Sequence, residues 1–222
     1  MITFLQATNR VLRRLRQSEV TTLANSSEYV KLIADFVNET KSEIEDAWEW
    51  SNLQAYFDVT TVAGTSTYSL TGTTEEFKLY DAWNTTTGYR IKGPMPLDFV
   101  NYQELTVSNP SGQAEYFSFA GVDADGYIVV NLVPNPSDTG TTYRFFGYNP
   151  QAELNTNTDD DTVILVPSRA LFLGALAKAI SERGEDGGAP MAEADVAYNK
   201  ALGDAIAIDA LKQNKYMDWY TA

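Results

Sequence analysis

Cysteine and histidine are both missing from this chain. Without cysteine there is no disulfide, no thiolate nucleophile and no cysteine-ligated zinc or iron–sulfur centre. Without histidine, the commonest general base and the commonest metal ligand are gone. What remains is carboxylate chemistry, lysine chemistry, or no chemistry. Long apolar runs are lacking as well, and the chain does not open on a basic-then-apolar signal segment. Neither membrane crossing nor export by that route is therefore expected. The expectation is a soluble protein with no membrane partner, made in the cytoplasm and used there or delivered by assembly.

Positive charge is scarce: 16 lysines and arginines face 30 acids, a net charge of −14. Nonspecific binding to nucleic acid depends on cations displacing counterions from phosphate, so a DNA-coating role is disfavoured. An acidic wall does suit a surface past which a polyanion must slide. Arg10, Arg13, Arg14 and Arg16 all precede the first acid, Glu19. They form either a solvated helix face or a contact for an acidic partner.

What is present suffices for a globular core, since 44% of the 222 residues are hydrophobic. Phe4, Leu5, Val11, Leu12 and Leu15 recur at helical spacing, opposite the arginines. Ser26 and Ser27 offer an N-cap to a long helix running from Glu28 to about Leu53. Its apolar stripe holds Tyr29, Ile33, Phe36, Val37, Ile44, Ala47 and Trp48. Glu39, Glu43, Glu45, Asp46 and Glu49, with Lys41, read as its solvated face.

From Tyr56 the period changes to two, predicting strands. Pro94 and Pro96 break this region, and Leu97, Val100, Tyr102 and Leu105 fit one short helix. Residues 116–119, 127–132 and 143–148 are aromatic and β-branched and read as an antiparallel meander. Pro167 then opens an almost wholly apolar, central helix. After the polar break at residues 182–188, Pro190 opens a last helix. Ala194, Ala197, Tyr198, Ala201, Ala205, Ile208 and Leu211 lie along one side of it.

The fold class these faces predict is α+β: a four-helix bundle built from the N- and C-terminal helices, with an inserted antiparallel β domain. Residues 1–55 and 163–222 would form the bundle and residues 56–162 the β domain. Whether the latter is a sandwich or a barrel stays open.

Candidate sites are few. Asp123-Ala124-Asp125-Gly126 lacks the further ligands of a calcium loop and reads as a β-turn. Asp159, Asp160 and Asp161 read as a solvated loop. Glu43 with Glu39 or Asp46 is the nominal carboxylate pair for glycoside hydrolysis, with Trp48 and Trp50 as sugar-stacking rings, although Trp48 also fits the core. The glycines from Gly184 to Gly188 lack the lysine-serine or lysine-threonine ending of a phosphate loop and follow a helix, so they make a helical hairpin turn. No catalytic, cofactor or metal residue is expected. Partner contacts are expected at Arg13 and Arg14, at Arg183, Glu185 and Asp186 on that turn, and at the tail residues Lys212, Lys215, Tyr216, Trp219 and Tyr220. Those tail aromatics need cover, from the chain's own bundle or from a partner.

Taken together, Thr8-Asn9-Arg10-Val11-Leu12-Arg13, the stretch from Val37-Asn38 to Trp48-Glu49-Trp50-Ser51, and the turn Glu182-Arg183-Gly184-Glu185-Asp186-Gly187-Gly188 followed by Tyr198 and Ala201-Leu202 carry a resemblance. Across nearly its whole length the chain resembles the head-to-tail adaptor, or neck, proteins of tailed bacteriophages, including the tail tubular protein A type. The resemblance implies a virion structural protein, not an enzyme. It implies a dodecameric ring under the portal protein and above the tail tube or nozzle protein, at the head-to-tail junction, assembled in the host cytoplasm. Genomic DNA would pass through its acidic channel without specific binding, and no cofactor would be needed. The rival reading is a carbohydrate-binding or glycan-hydrolysing tail-associated protein, suggested by the aromatic β region and the spare carboxylates.

Overall fold

The computed structural model describes residues 1–96, 98–99, 111–184 and 189–213. The short helix expected at Leu97, Val100, Tyr102 and Leu105 lies outside them. So do the expected contact residues Glu185, Asp186, Lys215, Tyr216, Trp219 and Tyr220. The fold is α+β, with four helices and antiparallel sheets among the described residues. The chain divides into two compact units, Met1–Leu53 with Gln151–Ala222, and Gln54–Pro150.

In the first unit, β1 (Ile2–Thr3) leads into α1 (Phe4–Arg14). A capping box starts this helix: Gln6 N donates to Thr3 Oγ1 and Thr3 N to Gln6 Oε1, both at 3.3 Å. α2 (Glu28–Ala47) starts at Ser27, whose Oγ accepts from Val30 N. A single 3₁₀ turn, Ser51–Leu53, ends the segment. After the second unit, β11 (Val163–Ile164) pairs antiparallel with β1 and leads into α3 (Ser168–Arg183) and then α4 (Ala189–Lys212).

α3 packs on α1, α2 and α4, and α1 also packs on α2. The centrality of α3 follows from its small apolar residues. Ala170, Leu171, Gly174, Ala175, Leu176, Ala177 and Ala179 are buried. Gly174 marks the tightest crossing, where an added Cβ would meet the Thr40 methyl and come within 3.0 Å of the Tyr198 ring. Phe4, Leu12, Ile33 and Ile44 are fully enclosed. Each contributes about 1.5–3 kcal/mol by leaving water.

Four expectations for these helices are corrected. α2 stops at Ala47 and not near Leu53, because Trp48 turns to an extended backbone. Ala47 is exposed and Trp48 only half-buried, so the core stripe ends at Ile44. Lys41 and Glu45, read as solvated, are enclosed, their side chains 1% and 2% exposed. Lys41 Nζ donates to Glu45 Oε2 at 3.0 Å and to the Gln151 carbonyl, while Gln151 N donates to Glu45 Oε1 at 3.3 Å. Beside them Asn38 brackets Leu154, donating to its carbonyl at 2.8 Å and accepting from its N–H at 3.2 Å. These side chains point inward because the backbone of residues 151–154, not water, lies against them. On α4, Ala201 is buried, but Ile208 and Leu211 are 59% and 84% exposed and lie off the packed side.

The second unit holds two sheets. The first has the order β2 (Gln54–Thr60), β10 (Thr142–Tyr148), β4 (Lys78–Asn84), β5 (Tyr89–Arg90). The second has the order β3 (Thr67–Ser69), β8 (Ile128–Val133), β7 (Tyr116–Val122). They share one core, centred on Val59, Phe117, Leu132, Tyr143 and Phe145. β7 and β8 pair as expected. β10 does not complete a meander with them; it crosses to the first sheet and lies between β2 and β4. Tyr143 and Phe145 are buried there, and a central place supplies both backbone partners that such a strand requires. The antiparallel rule also has an exception: β6 (Ser111–Gly112) and β9 (Asn135–Pro136) form a short parallel ladder.

Candidate functional site

The described residues present their charged and aromatic groups mainly at surfaces. Four features stand out, two charged, one aromatic and one a buried anchor.

The first is an acidic groove of about 740 Å³ on the helical unit, lined by Asp35, Glu39, Glu43 and Asp46 of α2 together with Glu153 and Lys178. Lys178 Nζ bridges Glu43 at 2.8 Å and Glu39 at 3.1 Å. Burial lowers the lysine's pKa, but the two carboxylates more than reverse this, and the net shift is upward. Asp35 moves the other way from an ordinary carboxyl: burial, then the charges of Glu153 and Glu39, push its pKa up. Glu39 and Glu43, the nominal catalytic pair, are thus one helical turn apart on one face and share one lysine. Carboxylates so placed hold one side of a substrate and do not flank a glycosidic bond.

The second is the basic end of α1. Arg13 pairs with Glu19 at 3.0 Å across exposed surface, a contact of small energetic weight. Arg14 and Arg16 are exposed. Arg183, expected at the partner surface, is half-buried and braced from within: Nε donates to Tyr29 Oη at 2.9 Å and Nη1 to the Leu15 carbonyl at 3.3 Å. It thereby joins the ends of α1 and α3 to the start of α2. Gly184 ends α3 in the left-handed conformation, φ 60°, which glycine adopts without a side-chain penalty.

The third, which sequence reasoning missed, is the outer face of the β2-β10-β4-β5 sheet. Tyr56 is 64% exposed. Its ring stacks on Phe146 at 5.0 Å, Tyr80 meets Phe146 edge-on at 5.6 Å, and the Arg144 guanidinium lies over Tyr56 at 5.2 Å. Arg144 grips Asp58 through two 2.7 Å bonds, and Arg90 binds Asp81 at 2.6 Å. Asp81 also accepts from the Trp83 indole at 2.7 Å. The hydrogen bonds from Arg144 outweigh the effect of burial and hold the Asp58 pKa down. The signal was present in the alternation of Tyr56 with Asp58 and of Arg144 with Phe146. Their pairing across two distant strands was not.

The fourth is structural. Asp209 of α4 is 3% exposed and receives Ser51 N at 3.0 Å, Ser51 Oγ at 2.6 Å, the Trp48 indole at 3.1 Å and Gln213 Nε2 at 3.0 Å. Burial alone would raise its pKa, but these donors reverse that and lower it. Lys212, another expected contact, lies 3.7 Å from Asp209 and is otherwise exposed. The acidic loops are structural too. Asp160 accepts from Leu23 N at 3.1 and 3.2 Å, Asp159 from Asn155 N at 2.7 Å, and Asp123 from Asp125 N at 3.0 Å and Tyr127 N at 2.9 Å. No helix among the described residues is long and apolar enough to cross a membrane.

A surface rich in paired ions and aromatics suits an assembly protein, and comparison with known families shows which family this is. The sequence profile of the SU10 adaptor proteins matches residues 2–220. The chain belongs to the SU10 adaptor protein family. It is a bacteriophage structural adaptor and a component of the virion, as the resemblance in its sequence implied. A search of curated proteins finds no match. In an adaptor, the aromatic sheet face and the charged ends of the helices are the places to look for neighbours.

Proposed function

We propose that this adaptor forms a ring between portal and tail, giving the genome a continuous channel through the head-to-tail junction. The observation that carries the reading is the match to the adaptor family over residues 2–220. In this reading the terminal helices form a four-helix bundle, with the β unit inserted between its halves. The ring is a dodecamer, the stoichiometry that the sequence resemblance implies. It is assembled in the host cytoplasm, with the portal protein on one side and the tail tube or nozzle protein on the other.

A cyclic ring needs two different, complementary patches on each subunit. The acidic groove and the basic end of α1 supply opposite charge, and the aromatic sheet face supplies Tyr, Trp and Arg, the residues that dominate interface energetics. On that face both acids are matched by arginines, so a strongly acidic chain can meet another protein there with little repulsion. The net charge of −14 suits a channel wall that does not hold DNA. No cofactor, metal or catalytic step enters this function.

The carbohydrate reading has less support, because the Tyr56 ring is already engaged by Phe146 and Arg144 and the Glu39–Glu43 pair shares one lysine. Mixing the purified protein with isolated portal rings tests the proposal. A complex with a second ring stacked on the portal, seen by electron microscopy, is the expected result. A protein that leaves portal rings bare and binds a glycan on an array would overturn it in favour of the rival.

A further inference from the structure

β2 is the outermost strand of its sheet and pairs with β10 on one side only. The peptide groups of an antiparallel strand point alternately to its two sides. Thr61 sets the alternation: its N donates to the Thr141 carbonyl and its carbonyl accepts from Gly140 N, both at 2.9 Å, so the odd-numbered residues face β10. The peptide groups of Tyr56, Asp58 and Thr60 therefore face outward, and among the described residues no hydrogen bond reaches them. All three residues are exposed.

Proteins guard open edges with short strands, bulges, proline, lysine or a covering segment. The other outer strands of the two sheets have such guards. β3 and β5 are three and two residues long. β7 shifts register between Phe119 and Val122, and its start is covered: Phe117 N donates to the Lys92 carbonyl at 3.0 Å and Met95 N to the Phe117 carbonyl at 2.8 Å. β2 has seven residues in unbroken register, with no proline and no lysine. Its one charge, Asp58, is matched by Arg144.

We propose that the outer edge of β2 over Tyr56–Thr60 is a docking site for an extended segment of another protein, which joins the sheet as one more strand and carries a large apolar residue and, two places along, a lysine or arginine. The rows of side chains that cross the sheet specify this chemistry. One row runs Tyr80, Phe146, Tyr56 and stops at the open edge. The next joins Arg144 to Asp58, whose side chain is still 43% exposed. A ring or large apolar group opposite Tyr56 and a cation opposite Asp58 continue both rows, because such cross-strand pairs are the favourable ones. Between them, an apolar residue opposite Phe57 covers a ring that its own core leaves half-buried. A basic segment also suits a chain of net charge −14. The described strands of a second copy fit less well. β2 laid antiparallel on itself about Asp58 sets two carboxylates opposite each other, and β3 and β5 are too short to match it. The docking edge belongs to the β unit alone and does not depend on the ring.

The probe is a synthetic peptide, Lys-Lys-Thr-Val-Arg-Val-Phe-Gly, added to the full-length protein, with amide hydrogen exchange followed residue by residue by NMR. In the dilute free protein, Tyr56, Asp58 and Thr60 should exchange about tenfold or more faster than Phe57 and Val59, whose amides face β10. Saturating peptide should slow those three by about tenfold or more. The same peptide N-methylated at its Thr, Arg and Phe, the amides that would face β2, should not bind. Thr60→Pro removes only an outward N–H, which an edge strand tolerates, and should weaken peptide binding. Tyr56→Lys, a guard of the kind natural edges carry, should do the same. Amides at 56, 58 and 60 already slow in the free protein, or unmoved by the peptide, would overturn the proposal. Equal binding of the methylated peptide would overturn it too. Protection that appears with protein concentration alone would give the edge to a second copy and equally overturn it.

Discussion

Replacing Lys41 with methionine strands a carboxylate inside the helical unit. Lys41 and Glu45 have side chains 1% and 2% exposed, and the ammonium is held by Glu45 and the Gln151 carbonyl together. Methionine keeps the length and apolar stem of the lysine, so packing changes little and the loss is electrostatic. Leaving one member of a buried ion pair without the other costs about 3–5 kcal/mol. A protein of this size loses roughly 2–4 °C of Tm per kcal/mol, so the expected fall is about 6–20 °C. Removing both charges, as in Lys41→Met/Glu45→Leu, exchanges the pair for apolar packing and typically comes out near neutral. It also forfeits the contacts to Gln151, about 1 kcal/mol each. Urea unfolding followed by helical circular dichroism is the assay, because that signal reports the unit in which the pair sits. A Lys41→Met protein as stable as wild type, or a double variant no more stable than the single, would refute the reasoning.

Other perturbations have equally definite outcomes. Asp209 has a depressed pKa in the fold, so the stability it contributes is complete above the ordinary carboxylate value, near 3.9, and is lost as pH falls through the folded value. Asp209→Asn should therefore weaken the helical unit at pH 7 and make less difference near pH 2, read from paired thermal melts. Asp35 has a raised pKa, so its charge opposes folding once pH rises past the unfolded value. Asp35→Asn should raise Tm at pH 7 and leave it unchanged at pH 3; a lower Tm at pH 7 would contradict the electrostatic account of the acidic groove. Gly174→Ala places a methyl against Thr40 and Tyr198 and should cost about 1–3 kcal/mol by denaturant titration.

Much of the helical framework was legible in the sequence because its signals are local. The Ser27 cap, Pro167 and Gly184 set helix boundaries within a few residues of chain. The run of small apolar residues from Ala170 to Ala179 marked the helix that others must surround. What failed was whatever depended on distant chain. Lys41, Glu45 and Asn38 look like surface residues until residues 151–154 are laid across them, and hydrophobic periodicity assigns a buried lysine to solvent by default. β10 reads like the next strand of a meander, and only the pairing of Phe146 with Tyr56 and of Arg144 with Asp58 places it in the other sheet. The same long-range pairing assembles the aromatic face, so the adaptor's most interface-like surface could not be read from either strand alone. Arg183 was read as a contact residue from its place at a polar turn, and its bonds to Tyr29 and the Leu15 carbonyl, residues more than 150 positions away, could not be read there.

The central claim is that this chain is a building block of the head-to-tail junction, and locating it in the particle tests that most directly. In purified virions of the phage that encodes it, an asymmetric cryo-electron microscopy reconstruction should place its helical and β units in a closed ring at the portal vertex, surrounding the DNA path. Its absence from mature particles, or its presence only on the capsid surface or at distal tail fibres, would contradict the account.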